Sequence, residues 1–210
     1  MHTSIRILVL AAAAACGAAH AEGLTLKVGV IRYQPDSRSN GITGIGIPPG
    51  ADAKVGSANT LLLTAEYELQ PHWGVELVLG VPPKITATAT GSVAFLGEVL
   101  SARNVAPTLL FTYHWGEAGA AWRPYVGLGV NYTKFTDAKS PYGYDIKLSD
   151  STGAAAEAGV DYAIDPRWGL FASIGYAKVR SKLVATGANV LQTTIDFRPT
   201  TFAVGGSYKF

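Results

Sequence analysis

Five carboxylates, two lysines and a histidine stand at alternating positions along this chain, spaced so that extended segments would turn them to one face. They are Glu66, Glu68, Glu76, Glu157 and Asp161, with Lys27, Lys209 and His114. Acids gathered in a low-dielectric space must pair with cations or hold protons. The chemistry open to this group is a satisfied polar plug, with Arg123 as a further cation, or a path for protons or ions; the plug is the expected role. Nucleophilic catalysis finds little to work with. Beyond residue 21 the only histidines are His72 and His114, and they lack the helical or loop spacing of a metal site. No glycine loop of the phosphate-cradling kind is present. The single cysteine, Cys16, falls in an N-terminal leader, which leaves no thiolate ligand, disulfide or cysteine nucleophile in the mature chain. No catalytic residue, metal or cofactor is expected.

The leader is recognised by its three parts. Arg6 supplies a positive start, residues 7–15 an apolar run, and Ala19-His20-Ala21 a small-x-small cleavage site. The run is too short to span a membrane as a helix, and Ala13-Ala14-Ala15 is a poor lipobox for lipidation at Cys16. Residues 1–21 are therefore read as a cleaved secretory signal peptide, and 22–210 as a single domain.

The elements that must position the charged group follow from periodicity. Of the 210 residues, 48% are hydrophobic and 15% charged, with a net charge of +2; no basic run suggests a nucleic-acid surface. The dominant pattern has period two, in eight segments bounded by Gly, Pro, Asn and Asp: 24–34, 59–69, 73–81, 103–115, 124–135, 152–164, 168 to about 183, and 193–210. Connections after the second, fourth and sixth segments are short, and the others are longer and rich in Gly, Ser and Thr. Trp73, Tyr113, Trp115, Trp168, Tyr208 and Phe210 fall at the short-turn ends. An even number of strands, alternating loop lengths and aromatic girdles describe a transmembrane barrel. The fold class expected is all-β, an eight-stranded antiparallel up-and-down transmembrane β-barrel, with a bulge near Phe197 and Pro199. A soluble lipocalin-like barrel shares the period but usually carries more charge outside.

Three stretches carry a family resemblance: Pro107-Thr108-Leu109-Leu110-Phe111-Thr112-Tyr113-His114; Arg123-Pro124-Tyr125-Val126-Gly127-Leu128-Gly129-Val130-Asn131-Tyr132-Thr133-Lys134-Phe135; and Ala203-Val204-Gly205-Gly206-Ser207-Tyr208-Lys209-Phe210. With Trp73-Gly74-Val75-Glu76, they make the mature chain resemble the OmpW family of small outer-membrane barrels. The resemblance implies a Gram-negative outer-membrane location and a narrow, largely apolar lumen for passive uptake of small hydrophobic molecules, with lateral exit through the wall. Some relatives are linked to alkane uptake, as in AlkL-like channels, and others to colicin reception. Residues 42–49 and 82–101, in the external loops, match less well. The closing Phe210 resembles the signal read by the machinery that inserts outer-membrane barrels.

The residues add their own reading of the lumen. An eight-stranded barrel is just wide enough to be filled by side chains. Toward the long-loop half, the inward set is Ile31, Tyr33, Leu62, Val78, Leu110 and Phe171, a lining that would favour an apolar solute at roughly 0.8 kcal/mol per buried methylene. Pro107, placed within the fourth segment, removes a ladder donor and marks the expected lateral opening. The partners expected are outer-membrane lipid and lipopolysaccharide, small hydrophobic solutes and the insertion machinery, with no nucleic acid and a monomeric barrel. Two alternatives remain: a structural or receptor barrel contacting colicin, phage or host, and a lipid A-modifying enzyme. The second is disfavoured because His72 and His114 both sit at the short-turn end, away from the outer leaflet.

Overall fold

Period-two alternation forces one face of each strand inward and the other outward, and closing the sheet leaves no edge unpaired. In the computed structural model, which describes residues 23–117 and 119–210, eight strands close in this way: β1 (Leu24–Pro35), β5 (Ala58–Gln70), β6 (Trp73–Gly80), β9 (Thr108–His114), β10 (Trp122–Lys139), β12 (Ser151–Ala163), β13 (Trp168–Ala177) and β16 (Pro199–Lys209). Each pairs antiparallel with the next, β10 joins β12, and β16 returns to β1. The predicted leader, with Cys16, lies outside the described residues.

The outward face is apolar without interruption over most of each strand. On β10 it runs Trp122, Pro124, Val126, Leu128, Val130, Tyr132, with Leu128 68% exposed. Ten residues at about 3.3 Å each, tilted by about 40°, span roughly 25 Å, the height of the apolar band of a membrane barrel. At the short-turn end the predicted aromatics touch one another. Trp73 lies 4.7 Å from Tyr113, Tyr113 5.2 Å from Trp115, Trp168 4.8 Å from Tyr208, and Tyr208 4.9 Å from Phe210, centroid to centroid.

At the other end the long connections, expected as loops rich in Gly, Ser and Thr, are largely strands, parts of which the fourth, seventh and eighth predicted segments already cover. Here β4 (Ala51–Val55), β7 (Lys84–Gly91) and β8 (Glu98–Val105) extend the sheet from the upper half of β10. A second sheet joins β11 (Asp145–Leu148), β14 (Arg180–Thr186) and β15 (Val190–Asp196), with the short β2 (Arg38–Ser39) and β3 (Thr43–Gly44) on its edge. Residues 42–49 thus include β3, and 82–101 include β7 and a 3-10 turn, Ala94–Leu96. Their facing sides bury an apolar cluster that includes Tyr33, Val55, Ile85, Leu100, Phe135 and Phe197. Phe135 and Phe197 stack at 5.2 Å. This cluster lies over the long-connection end of the lumen.

Three predicted strands are interrupted. The eighth breaks after Asp196, where Arg198 adopts a positive φ of 37°; the strand is interrupted where a bulge was expected, and both β16 ladders run without a register shift. The seventh ends at Ala177 and restarts at Arg180. The fourth divides at Ala106 and Pro107, so Pro107 is not a residue within a strand. It sits half-buried between β8 and β9. The cause is the ring: Pro107 accepts from Tyr132 N–H (3.0 Å) but has no N–H to return the second bond of that pair.

Candidate functional site

Lys27 on β1 points inward and is 1% exposed. Its Nζ lies 3.0 Å from Glu66 Oε2 on β5, 3.1 Å from Asp161 Oδ1 on β12 and 3.9 Å from Glu76 Oε1 on β6. Glu66 and Glu76 stand directly opposite in the β5–β6 ladder, so two like charges share one row. Such a row is destabilising without a cation between them, and Lys27 supplies it. Glu66 Oε1 also takes a hydrogen bond from Thr112 Oγ1 (2.9 Å) and binds His114 Nε2. Asp161 Oδ2 lies 3.6 Å from His114 Nδ1.

Two members of this network, Thr112 and Tyr125, are not among the polar residues singled out in the sequence. Tyr125, 1% exposed, stacks on His114 at 5.0 Å, donates to Glu157 Oε1 (2.8 Å), and places its ring centre 4.5 Å from Lys27 Nζ. Gly159 makes the room, since a Cβ there would fall 2.6 Å from the Tyr125 ring. The available signal was the inward phase of Tyr125 beside Gly127, but the decisive partner is 34 residues away on β12.

Of the eight polar residues singled out in the sequence, six meet here: Lys27, Glu66, Glu76, His114, Glu157 and Asp161. Glu68 and Lys209 form a separate tier at the mouth. Lys209 Nζ is 2.8 Å from Glu68 Oε2, and Arg123 Nη1 is 3.5 Å from Glu68 Oε1. Glu66, His114 and Asp161 also offer three ligand atoms within 4.8 Å of one another, a metal-like grouping that the sequence spacing did not suggest. Lys27 already holds the cationic position against Glu66 and Asp161. His72, in the β5–β6 turn, has Nδ1 3.0 Å from His114 O.

The network divides two spaces. Below it, toward the short turns, a vestibule of about 520 Å³ is bounded by Glu66, Glu68, His114, Arg123, Asp161 and Lys209 among others. Above it is a cavity of about 130 Å³. Glu76 and Glu157 lie at its polar end, and all six predicted apolar residues line it: Ile31, Tyr33, Leu62, Val78, Leu110 and Phe171. Leu62 and Phe171 pack with Ala203 as one buried cluster, against which Ile31 and Val78 lie.

This cavity reaches the wall where the ladder is broken. Pairing of β6 with β9 stops at Val78 and Thr108. It resumes one level higher, where Asn104 N–H donates to Pro83 O (3.1 Å) and β7 pairs with β8. Between these points Leu79, Gly80, Val81 and Pro83 on one side and Ala106 on the other all line the cavity. Inside the break, Asn131 Nδ2 donates to Thr108 Oγ1 (2.8 Å) and lies 3.4 Å from Ala106 O and 3.5 Å from Pro107 O, so the Ala106 carbonyl has a polar partner.

The family model described as OmpW family matches residues 21–210. Outer membrane protein W of Vibrio cholerae is 32% identical over 203 residues, 91% of each chain. Outer membrane protein AlkL of Ectopseudomonas oleovorans is 26% identical over 80% of this chain and 73% of its own. Among solved structures, the outer membrane protein OprG from Pseudomonas aeruginosa superposes with a TM-score of 0.84 at 31% identity, covering 91% of this chain and 97% of OprG.

Proposed function

This chain belongs to the OmpW family, and on that premise we propose that it is an outer-membrane channel for small apolar molecules, which leave sideways through the break beside Pro107. It lies in the outer membrane as a multi-pass barrel, with the short turns on the periplasmic side and the strand extensions outside. The proposed leader, residues 1–21, would take it there. One observation carries the reading: a largely apolar cavity that is closed toward the periplasm by the Lys27 network yet reaches the wall at Leu79, Gly80, Val81, Pro83 and Ala106.

Size and polarity both matter. A dry apolar cavity of about 150 Å³ holds benzene, so the 130 Å³ space accepts a ring or a chain of similar bulk. A longer solute would have to extend through the break into lipid. The charged network below makes the straight route to the periplasm costly for an apolar molecule, because crossing it would strip buried charges of partners. The sideways route carries no such cost.

Uptake of a medium-chain alkane by whole cells tests the proposal, comparing the protein with its Pro107→Val variant. Valine returns the N–H that could complete the pair with Tyr132 and draw β8 and β9 into one ladder. The expected result is saturable, protein-dependent uptake that falls in the variant while barrel stability is unchanged or higher. Uptake equal to cells without the protein would contradict the proposal. The apolar cluster over the outer end of the lumen favours a second reading, a structural or receptor barrel, and absence of uptake by a folded barrel would support it.

A further inference from the structure

Directly above the break, three cations meet on the outward face of the β7–β8–β10 sheet. Lys84 stands opposite Arg103 in the ladder. Arg103 stands opposite Thr136, and Lys134 precedes Thr136 by two residues on the same face, one diagonal step from Arg103. All three side chains are exposed. Like charges directly opposite on one face repel. Asp137 offsets little of this: its Oδ2 is 3.5 Å from Arg103 Nε, with the two side chains 68% and 54% exposed, and an ion pair so open to water is weak. Among the described residues Asp137 is the carboxylate in an ion pair with this group, while Asp150 is engaged by the Tyr132 hydroxyl, so three cations face little bound acid and call for an anion.

Its height says which anion it meets. Lys134 is the first outward side chain on β10 beyond the apolar series that ends at Tyr132. That is the level at which the headgroups of the outer leaflet begin. Arg103 Nη1 also reaches Pro82 O (3.3 Å), which fixes the patch to the upper lip of the break. By contrast, Arg180 on β14 stands opposite Asp196, and Asp196 also takes two bonds from Arg198, so the cations there have acidic partners in place.

We propose that Lys84, Arg103 and Lys134 form a binding site for the phosphate group of a phosphorylated glycolipid of the outer leaflet, held beside the opening in the wall. The planar guanidinium suits bidentate contact with phosphate, and the two ammonium groups add charge without fixed geometry. Each basic residue near an anionic surface strengthens the attraction. The site depends on outer-membrane placement alone and stands whether or not the lumen carries a solute.

Native mass spectrometry of the protein in neutral detergent tests this by titration with diphosphorylated lipid A, dephosphorylated lipid A and inorganic phosphate. Retention of the phosphorylated lipid should weaken about tenfold or more in Lys84→Gln/Arg103→Gln/Lys134→Gln. It should change little in Lys147→Gln/Arg180→Gln/Lys182→Gln, which removes the same charge elsewhere outside the barrel. Equal weakening in both triple variants, equal retention of the dephosphorylated lipid, or displacement of lipid by equimolar inorganic phosphate would each overturn the proposal. Heat-modifiable gel mobility confirms folding, and Arg103→Gln alone serves if the triple variant does not fold.

Discussion

Lys27 has Thr64 as its ladder partner on one side and Ser207 on the other, and its ammonium is the cation nearest to Glu66, Glu76 and Asp161. Lys27→Met removes that cation and leaves the carboxylates buried together. Breaking a buried pair in this way costs about 3–5 kcal/mol, which denaturant unfolding in micelles should register. Lys27→Met/Glu66→Gln should recover part of the loss, since fewer charges are then stranded. A different acid acts outside the membrane. Asp165, in the turn between β12 and β13, accepts N–H bonds from Arg167 and Trp168, both at 2.8 Å. The Trp168 bond, then the Arg167 bond, hold its carboxyl below the ordinary value of 3.8. A carboxyl lowered by folding stabilises the fold above its unfolded value, and that contribution is lost as pH falls through the lower folded value. Asp165→Asn keeps an acceptor but cannot ionise, so the two proteins should differ in thermal midpoint at neutral pH and converge in acid. A constant difference across that range would contradict this. At this scale the sequence disclosed which side chains face inward, because alternation assigns faces. It did not disclose Tyr125 as part of the network, because the space for its ring is made by Gly159 on another strand.

Strand pairing sets the shape of the cavity. Gly29 and Gly205 are partners in the β1–β16 ladder, and a Cβ on Gly205 would fall 2.2 Å from Val28 O and 2.7 Å from Phe171 Cε1. The two strands approach closely there, and the Phe171 ring rests on the space. Gly205→Val should push Phe171 into the cavity and cost about 1–3 kcal/mol through overpacking, seen as a lower unfolding midpoint and a smaller lumen. A midpoint equal to that of the unaltered protein would show that the strands can spread. The existence of the eight barrel strands was legible because a half-buried strand writes its period into the sequence. Their extensions were legible only in part, where the fourth, seventh and eighth segments run into β8, β14 and β15. Residues such as Thr86, Thr88 and Ser101 face outward from sheets that close against each other over the lumen, and the Gly-, Ser- and Thr-rich composition of those segments resembles that of loops. Likewise Pro107 was visible as a ladder-breaker, yet the partner change from β7 to β6 across it depends on Pro82 and Pro83, more than twenty residues earlier.

The described residues join a charge-closed base, a largely apolar middle and an apolar cover, with a break in the wall between the second and third. On the proposed route, a sealed barrel base and a wall opening act together only if a solute turns sideways before it meets Lys27. The outer-membrane location and the barrel class were both expected from strand count, loop alternation and girdles, and the family match agrees with them. The most direct test of the sideways route uses Ala106→Cys, at the edge of the break, treated either with a small methylthio-transferring thiosulfonate or with a bulky maleimide. Whole-cell uptake of a medium-chain alkane is then compared with that of the unaltered protein under the same treatments. Loss of uptake with the bulky adduct and retention with the small one is the predicted result; full uptake with the bulky adduct in place would contradict lateral exit.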